Sequence, residues 1–93
     1  MRESQIEKHL VERVKALGGE VRKVRWIGRN GAPDRFVMLP GQFGLWIELK
    51  APGERCRPHQ IREHVRMQKM GQRVEVVDSL EGVDAVLKGG DWE

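Results

Sequence analysis

The sequence predicts an α/β sandwich with a mixed sheet, its elements in the order α-β-β-β-α-β-α. Three observations lead there. Apolar residues recur at helical spacing between positions 4 and 17 and again after Pro58. Four short, partly alternating apolar runs lie at 20–27, 34–39, 43–50 and 73–77. Gly and Pro residues punctuate the boundaries, at Gly18-Gly19, Pro40-Gly41 and Gly71. Ninety-three residues leave room for one core, so residues 1–93 are read as a single domain with its core at about 3–88.

The first helix is expected over 4–17, where Ile6, Leu10, Val14 and Leu17 form one stripe that Gly18-Gly19 ends. Glu20 to Ile27 alternates Val21, Val24 and Trp26 with basic residues and reads as a strand at a sheet margin. A loop follows from Gly28 to Pro33. Asp34–Leu39 and Phe43–Lys50 then form a hairpin around Pro40-Gly41-Gln42. Ala51–Arg57 is a loop rich in Pro, Gly and charge. Pro58 suits the first turn of a second helix running to about Met70. Arg73–Val77 is the last strand, Leu80–Leu87 a short final helix, and Gly89–Glu93 a loose tail.

Composition excludes several classes. No apolar run approaches the roughly 18 residues of a membrane span. The polar start, MRESQIEKHL, lacks the apolar stretch of a signal peptide. One cysteine, Cys56, allows neither an internal disulfide nor a zinc cluster, and His9, His59 and His64 offer no closed ligand set. A reducing cytoplasm is the expected compartment. Net charge +3 permits a nucleic-acid partner without demonstrating one. A chain this short buries only about 60% of its unfolded surface, so a partner subunit is a natural supplement.

The stretch GAPDRFVMLPGQFGLWIELKAPG, residues 31–53, places charge at the ends of its most strand-like segments. Glu48 and Lys50 are two apart, so in a strand they share a face while Leu49 points into the core. If the hairpin brings Asp34 beside Glu48, two carboxylates meet that repel unless something positive sits between them. A divalent cation with oxygen ligands does this, and Mg²⁺ accepts a couple of carboxylates plus water and substrate phosphate. The Leu49 carbonyl is a further candidate ligand. Lys50 would orient or deprotonate a water, or neutralise charge developing on phosphorus. A plain surface salt bridge between strand ends is the alternative.

Pro33-Asp34 followed by Glu48-Leu49-Lys50 matches the PD-(D/E)xK nuclease signature. The wider string resembles a stand-alone VRR-NUC domain over nearly the whole chain: Gly31-x-Pro33-Asp34-Arg35, Trp46 to Gly53, Pro58-x-Gln60, and Gly71-x-x-Val74-x-Val76-Val77. The resemblance implies a restriction-endonuclease-like fold, with an α-β-β-β-α-β core and a mixed central sheet flanked by helices. It implies dependence on Mg²⁺ or Mn²⁺ and hydrolysis of phosphodiester bonds. Phage-encoded single-domain members resemble Holliday junction resolvases that act as homodimers, which implies a homodimer and branched DNA here, in the host cytoplasm if the chain is phage-encoded.

On that basis Asp34, Glu48, Lys50 and Gln60 are the expected catalytic residues, with metal held by Glu7, Asp34, Glu48 and the Leu49 carbonyl. The first-helix glutamate is carried over from the family. Glu3, Glu7 and Glu12 compete for it; Glu7 falls within the apolar stripe, Glu12 opposite, and Glu3 is expected just before the helix. The alternative for Glu7 is a capping box with Ser4, and for Gln60 helix-terminus hydrogen bonding. Arg22, Lys23, Arg25 and Arg29 precede the site, and Arg35, Arg55, Arg57 and Arg62 flank it, an array suited to phosphates. Arg25, Arg29, Arg35 and Arg57 are the substrate contacts expected from it; a charged, pairing-resistant strand edge is the alternative. Trp26 and Trp46 read as core at strand positions, with stacking on bases as the alternative. The competing function is a non-catalytic DNA-binding or assembly module with a nuclease-like fold.

Overall fold

The computed structural model describes residues 1–89, so the expected tail lies, beyond Gly89, outside the described residues. The elements run α1 (Glu3–Ala16), β1 (Glu20–Lys23), β2 (Arg35–Met38), β3 (Leu45–Leu49), α2 (Pro58–Lys69), β4 (Arg73–Val77) and α3 (Leu80–Gly89). They form the expected α/β sandwich. One four-stranded mixed sheet has the order β1-β2-β3-β4, with β1–β2 and β2–β3 antiparallel and β3–β4 parallel. A parallel pair needs a crossover, and α2 supplies it.

Helix α1 and helix α3 cover one sheet face. Ile6, Leu10 and Val14 from α1 meet Val83 and Leu87 from α3 over Val37, Leu45, Ile47, Leu49 and Val77. Leu17, expected in this stripe, is half-exposed because the helix already ends there, with Gly18 turning the chain at φ 83°. Gly19 must be glycine for a different reason: a Cβ there would collide with the Met38 carbonyl oxygen. His9 and Arg13 of α1 both reach Asp84 of α3, at 2.9 and 3.2 Å. Arg73 adds a 2.9 Å bond to the Val86 carbonyl. Helix α2 covers the opposite face.

The strand expected over Glu20–Ile27 ends at Lys23. The backbone explains it. The Val24 N–H still donates to the Asp34 carbonyl at 2.8 Å, but the next residue of the partner segment is Pro33, which has no N–H to continue the ladder. The indole of Trp26 takes the Pro33 carbonyl instead, at 2.8 Å, so Trp26 sits in a loop rather than in a strand. At the hairpin the second strand begins at Leu45, not Phe43, whose side chain is fully exposed. Gly44 packs so closely on the Phe36 ring that a Cβ would overlap it.

Ile47 is fully buried in an interior strand. Ile47→Ala is expected to lower unfolding stability by about 2–5 kcal/mol in urea titration; a loss under about 1 kcal/mol would contradict this packing.

Candidate active site

The β2–β3 register pairs Arg35 with Ile47 and Phe36 with Trp46. Continued one step, it sets Asp34 opposite Glu48 on the same face of the sheet. Alternation along β3 then does the sorting. Leu45, Ile47 and Leu49 face the core, while Trp46, Glu48 and, just past the strand, Lys50 face α2. Lys50 is still held by the sheet, since its N–H donates to the Val77 carbonyl at 2.9 Å. The side chains of Glu48 and Lys50 are only 13% and 15% exposed, and Lys50 Nζ lies 4.0 Å from Glu48 Oε2.

Helix α2 closes the site from above. Its direction is fixed by the crossover, so its N-terminus lies over the end of β3. Gln60 Oε1 accepts from the Arg57 N–H at 2.8 Å and from Lys50 Nζ at 3.0 Å, and Nε2 donates to Glu48 Oε2 at 3.4 Å. Gln60 therefore caps the helix and contacts both site residues at once. One turn on, His64 is buried with Nε2 3.8 Å from Glu48 Oε1, and that nitrogen has no hydrogen-bond partner among the described residues. The sequence placed His64 on the inner face of its helix but carried no signal that this face meets Glu48. Burial lowers the His64 pKa, and the Gly31 backbone beside the ring partly opposes that. Gly31 itself has φ 86°, and a Cβ would lie 2.8 Å from the His59 carbonyl oxygen. Only glycine lets the loop before Asp34 rest directly on α2.

Electrostatics make Glu48 the unusual group. Its pKa is pushed up to about 7, chiefly by burial; Lys50 pulls it down, while the charges of Asp34 and Glu3 push it further up. A carboxylate that stays costly to ionise beside other carboxylates is a site short of positive charge. That suits a hard cation with oxygen ligands. No group of three His, Cys, Asp or Glu among the described residues forms a ready-made metal cage. The donor set fits a cation that keeps most of its waters, as Mg²⁺ or Mn²⁺ does, and not a closed zinc site.

Several expected residues take other positions. Glu7 lies on α1, and its carboxylate accepts from Arg35 Nε at 2.7 Å. That bond holds its pKa below the ordinary carboxylate value. The Ser4–Glu7 capping box is absent because the helix starts one residue earlier, and Gln5 Oε1 accepts the Arg2 N–H instead, at 2.6 Å. Glu3 is therefore inside the helix, and it is the first-helix carboxylate whose charge bears on Glu48. Arg35 is not free for substrate. It is 8% exposed and bridges Glu7 to Asp34 Oδ1 at 2.7 Å. Its register partner Ile47 faces the core, and Arg35 must follow. Arg29 is half-exposed and donates to the buried Glu63 at 3.2 Å. Arg25 and Arg57 are exposed.

The folded chain holds a proton on Glu48 that the unfolded chain releases between about pH 4.5 and 7. Ionisation of Glu48 thus weakens the fold as pH rises through that window. Burial lowers the His64 pKa and acts in the opposite sense below its usual value of 6.5, so the comparison has to isolate Glu48. In EDTA, Glu48→Gln is expected to gain about 2 kcal/mol relative to the parent between pH 5 and 8. Denaturant melts across that range check it; a pH-independent difference would contradict the assignment.

Comparison with known proteins agrees with this arrangement. No protein-family model matches the chain. It is 48% identical over 79 residues, 85% of each chain, to a protein named "Putative nuclease p44" from Acyrthosiphon pisum secondary endosymbiont phage 1. A solved VRR-NUC domain superimposes with a TM-score of 0.84 at 42% identity, covering 92% of this chain and 94% of that one. With its sheet order, its crossover helix and its Asp34–Glu48–Lys50–Gln60 cluster in place, the chain belongs to the VRR-NUC family.

Proposed function

We propose that the protein is a metal-dependent, structure-specific DNA endonuclease that hydrolyses phosphodiester bonds, acting on branched DNA such as Holliday junctions or flaps. The observation that carries this is the contact set joining Lys50, Gln60 and Glu48 beside Asp34. The family and the name of the phage relative support the nuclease reading. Metal dependence is supported by the charge deficit at Glu48.

Asp34, Glu48 and the Leu49 carbonyl would hold Mg²⁺ or Mn²⁺, completed by a first-helix glutamate. Glu7 is committed to Arg35, so Glu3 takes that place in this proposal. When bound, the cation supplies an acidified water and charge neutralisation on the phosphate. The side chains do the rest. Gln60 Oε1 holds Lys50 Nζ at the face where a scissile phosphate would lie. Lys50 then donates to a nonbridging phosphate oxygen as negative charge grows there, or orients the attacking water. Water adds to phosphorus, the P–O bond to one deoxyribose breaks, and the departing oxygen takes up a proton. Burial of Glu48 keeps bulk water from screening these charges. Arg35 sits behind the site and fixes the Asp34 carboxylate, making it a positioning residue. Arg25 and Arg57, both exposed, would meet flanking phosphates, and the half-exposed Arg29 would join them.

Paired incision across a junction needs two sites in fixed relation, so a homodimer is part of the proposal. Among the described residues no helix is long and apolar enough to cross a membrane.

A cleavage assay on four-way junction, flap and plain duplex with Mg²⁺ or Mn²⁺ tests this reading. Asp34→Asn and Lys50→Met should each lower the rate about 100-fold or more, with the fold retained by circular dichroism. Parental rates in either variant, or no cleavage of any substrate by the parent, would overturn it. Arg57→Ala should weaken substrate binding several-fold and flatten its salt dependence by about one charge while leaving the saturated rate near parental. Light scattering should report a dimer, and a monomer at high concentration would remove the junction-resolving part.

A further inference from the structure

Next to the carboxylates the same sheet face turns aromatic. Asp34 and Glu48 form one transverse row; the neighbouring row, two residues or about 7 Å along the strands, holds Phe36 opposite Trp46. Their rings lie 4.5 Å apart, and Trp26 from the loop between β1 and β2 lies 5.1 Å from Trp46. Met67 from the last turn of α2 and Met70, which caps that helix, line the other side. Between lies an open groove of about 450 Å³. Met70 is 81% exposed at its mouth, so the apolar lining meets solvent.

Charge at the rim is cationic. Arg29 and Arg66 stand on either side of Glu63, and all three side chains line the groove. Glu63 is buried and accepts from Arg29 at 3.2 Å and from Arg66 at 2.7 and 3.0 Å. One carboxylate answers two guanidiniums, leaving a net positive charge, and both arginine side chains remain about half-exposed. An aromatic wall with a cationic lip matches a planar ring on an anionic backbone. A second copy of the chain fits less well, since a stable interface needs about 800 Å² per partner and this groove is local.

We infer that this groove binds an unpaired nucleobase next to the scissile phosphate, stacked on Trp46 and Trp26. The inference rests on the nuclease reading for the phosphate's place and adds the feature by which substrate is chosen: a base free of its duplex partner, as at a flap, gap or branch point. A fully paired base cannot enter without leaving its stack. The groove is also tied to the site. Trp26 Nε1 holds the carbonyl of Pro33, the residue before Asp34, so an occupant pressing on Trp26 presses on the loop that carries the carboxylate.

The test measures binding in EDTA, without chemistry, using tryptophan fluorescence of a Trp92→Phe protein that retains Trp26 and Trp46. Oligonucleotides with a single-stranded flap should quench it saturably and bind at least about tenfold tighter than blunt duplex of equal length. Met70→Glu, outside the catalytic set, should reduce flap affinity about tenfold and change duplex affinity less than about twofold. Trp46→Phe, a conservative stacking variant, should retain most of the preference. Equal affinity for flap and duplex, equal losses on both in Met70→Glu, or self-association that Met70→Glu abolishes would overturn the inference. Flap preference without any cleavage would leave this groove standing and sink the nuclease reading; cleavage without flap-dependent quenching would do the reverse.

Discussion

Everything at this site depends on the antiparallel register between Arg35–Met38 and Leu45–Leu49. Because Arg35 pairs with Ile47, Asp34 falls beside Glu48. A slip of one residue would turn Glu48 and Lys50 into the core and Ile47 out of it. The apolar alternation of Leu45, Ile47 and Leu49 prevents that slip, since all three are buried. Core packing on one face thus holds charged groups in place on the other. The energy that holds two carboxylates together comes from the hydrophobic layer beneath them, and not from any attraction of their own.

Helix α2 turns that row into an enclosed site. Gln60 links the helix N-terminus to Lys50 and Glu48, and Gly31 lets the preceding loop rest on the same helix at His59. Glu63 does likewise through Arg29. Asp34 is therefore held from three sides: by its place before β2, by Arg35 behind it, and by a loop resting on α2. Glu48 is raised to about 7 because this enclosure removes water without supplying enough positive charge. A bound cation would complete what the protein leaves short.

Much of this was legible in the sequence, for identifiable reasons. Strand period alone puts Glu48 and Lys50 on one face and Leu49 on the other. Hairpin punctuation at Pro40-Gly41 brings Asp34 towards Glu48; Pro58 sets Gln60 in the first turn of the helix, and the family resemblance supplied its place at the site. What the sequence could not show depends on contacts between distant segments. Arg35 reads like any other basic residue until its register partner is known to face the core. Glu7 fits the helical stripe, but no periodicity reveals that Arg35 waits opposite it. The end of β1 is set by Pro33 ten residues later, through a missing N–H. His64 gave only a helical face, and its approach to Glu48 needed the crossover. Trp26 and Trp46 read as core at strand positions, and their meeting with Phe36 on one face requires both the register and the loop.

The central claim is that Asp34 and Glu48 share a divalent cation. Anomalous diffraction from crystals soaked in Mn²⁺ tests it most directly. The account predicts one strong peak lying between the two carboxylates, within about 2.0–2.6 Å of oxygen atoms from both. A saturated soak with no peak there, or with Mn²⁺ bound only elsewhere on the chain, would contradict it.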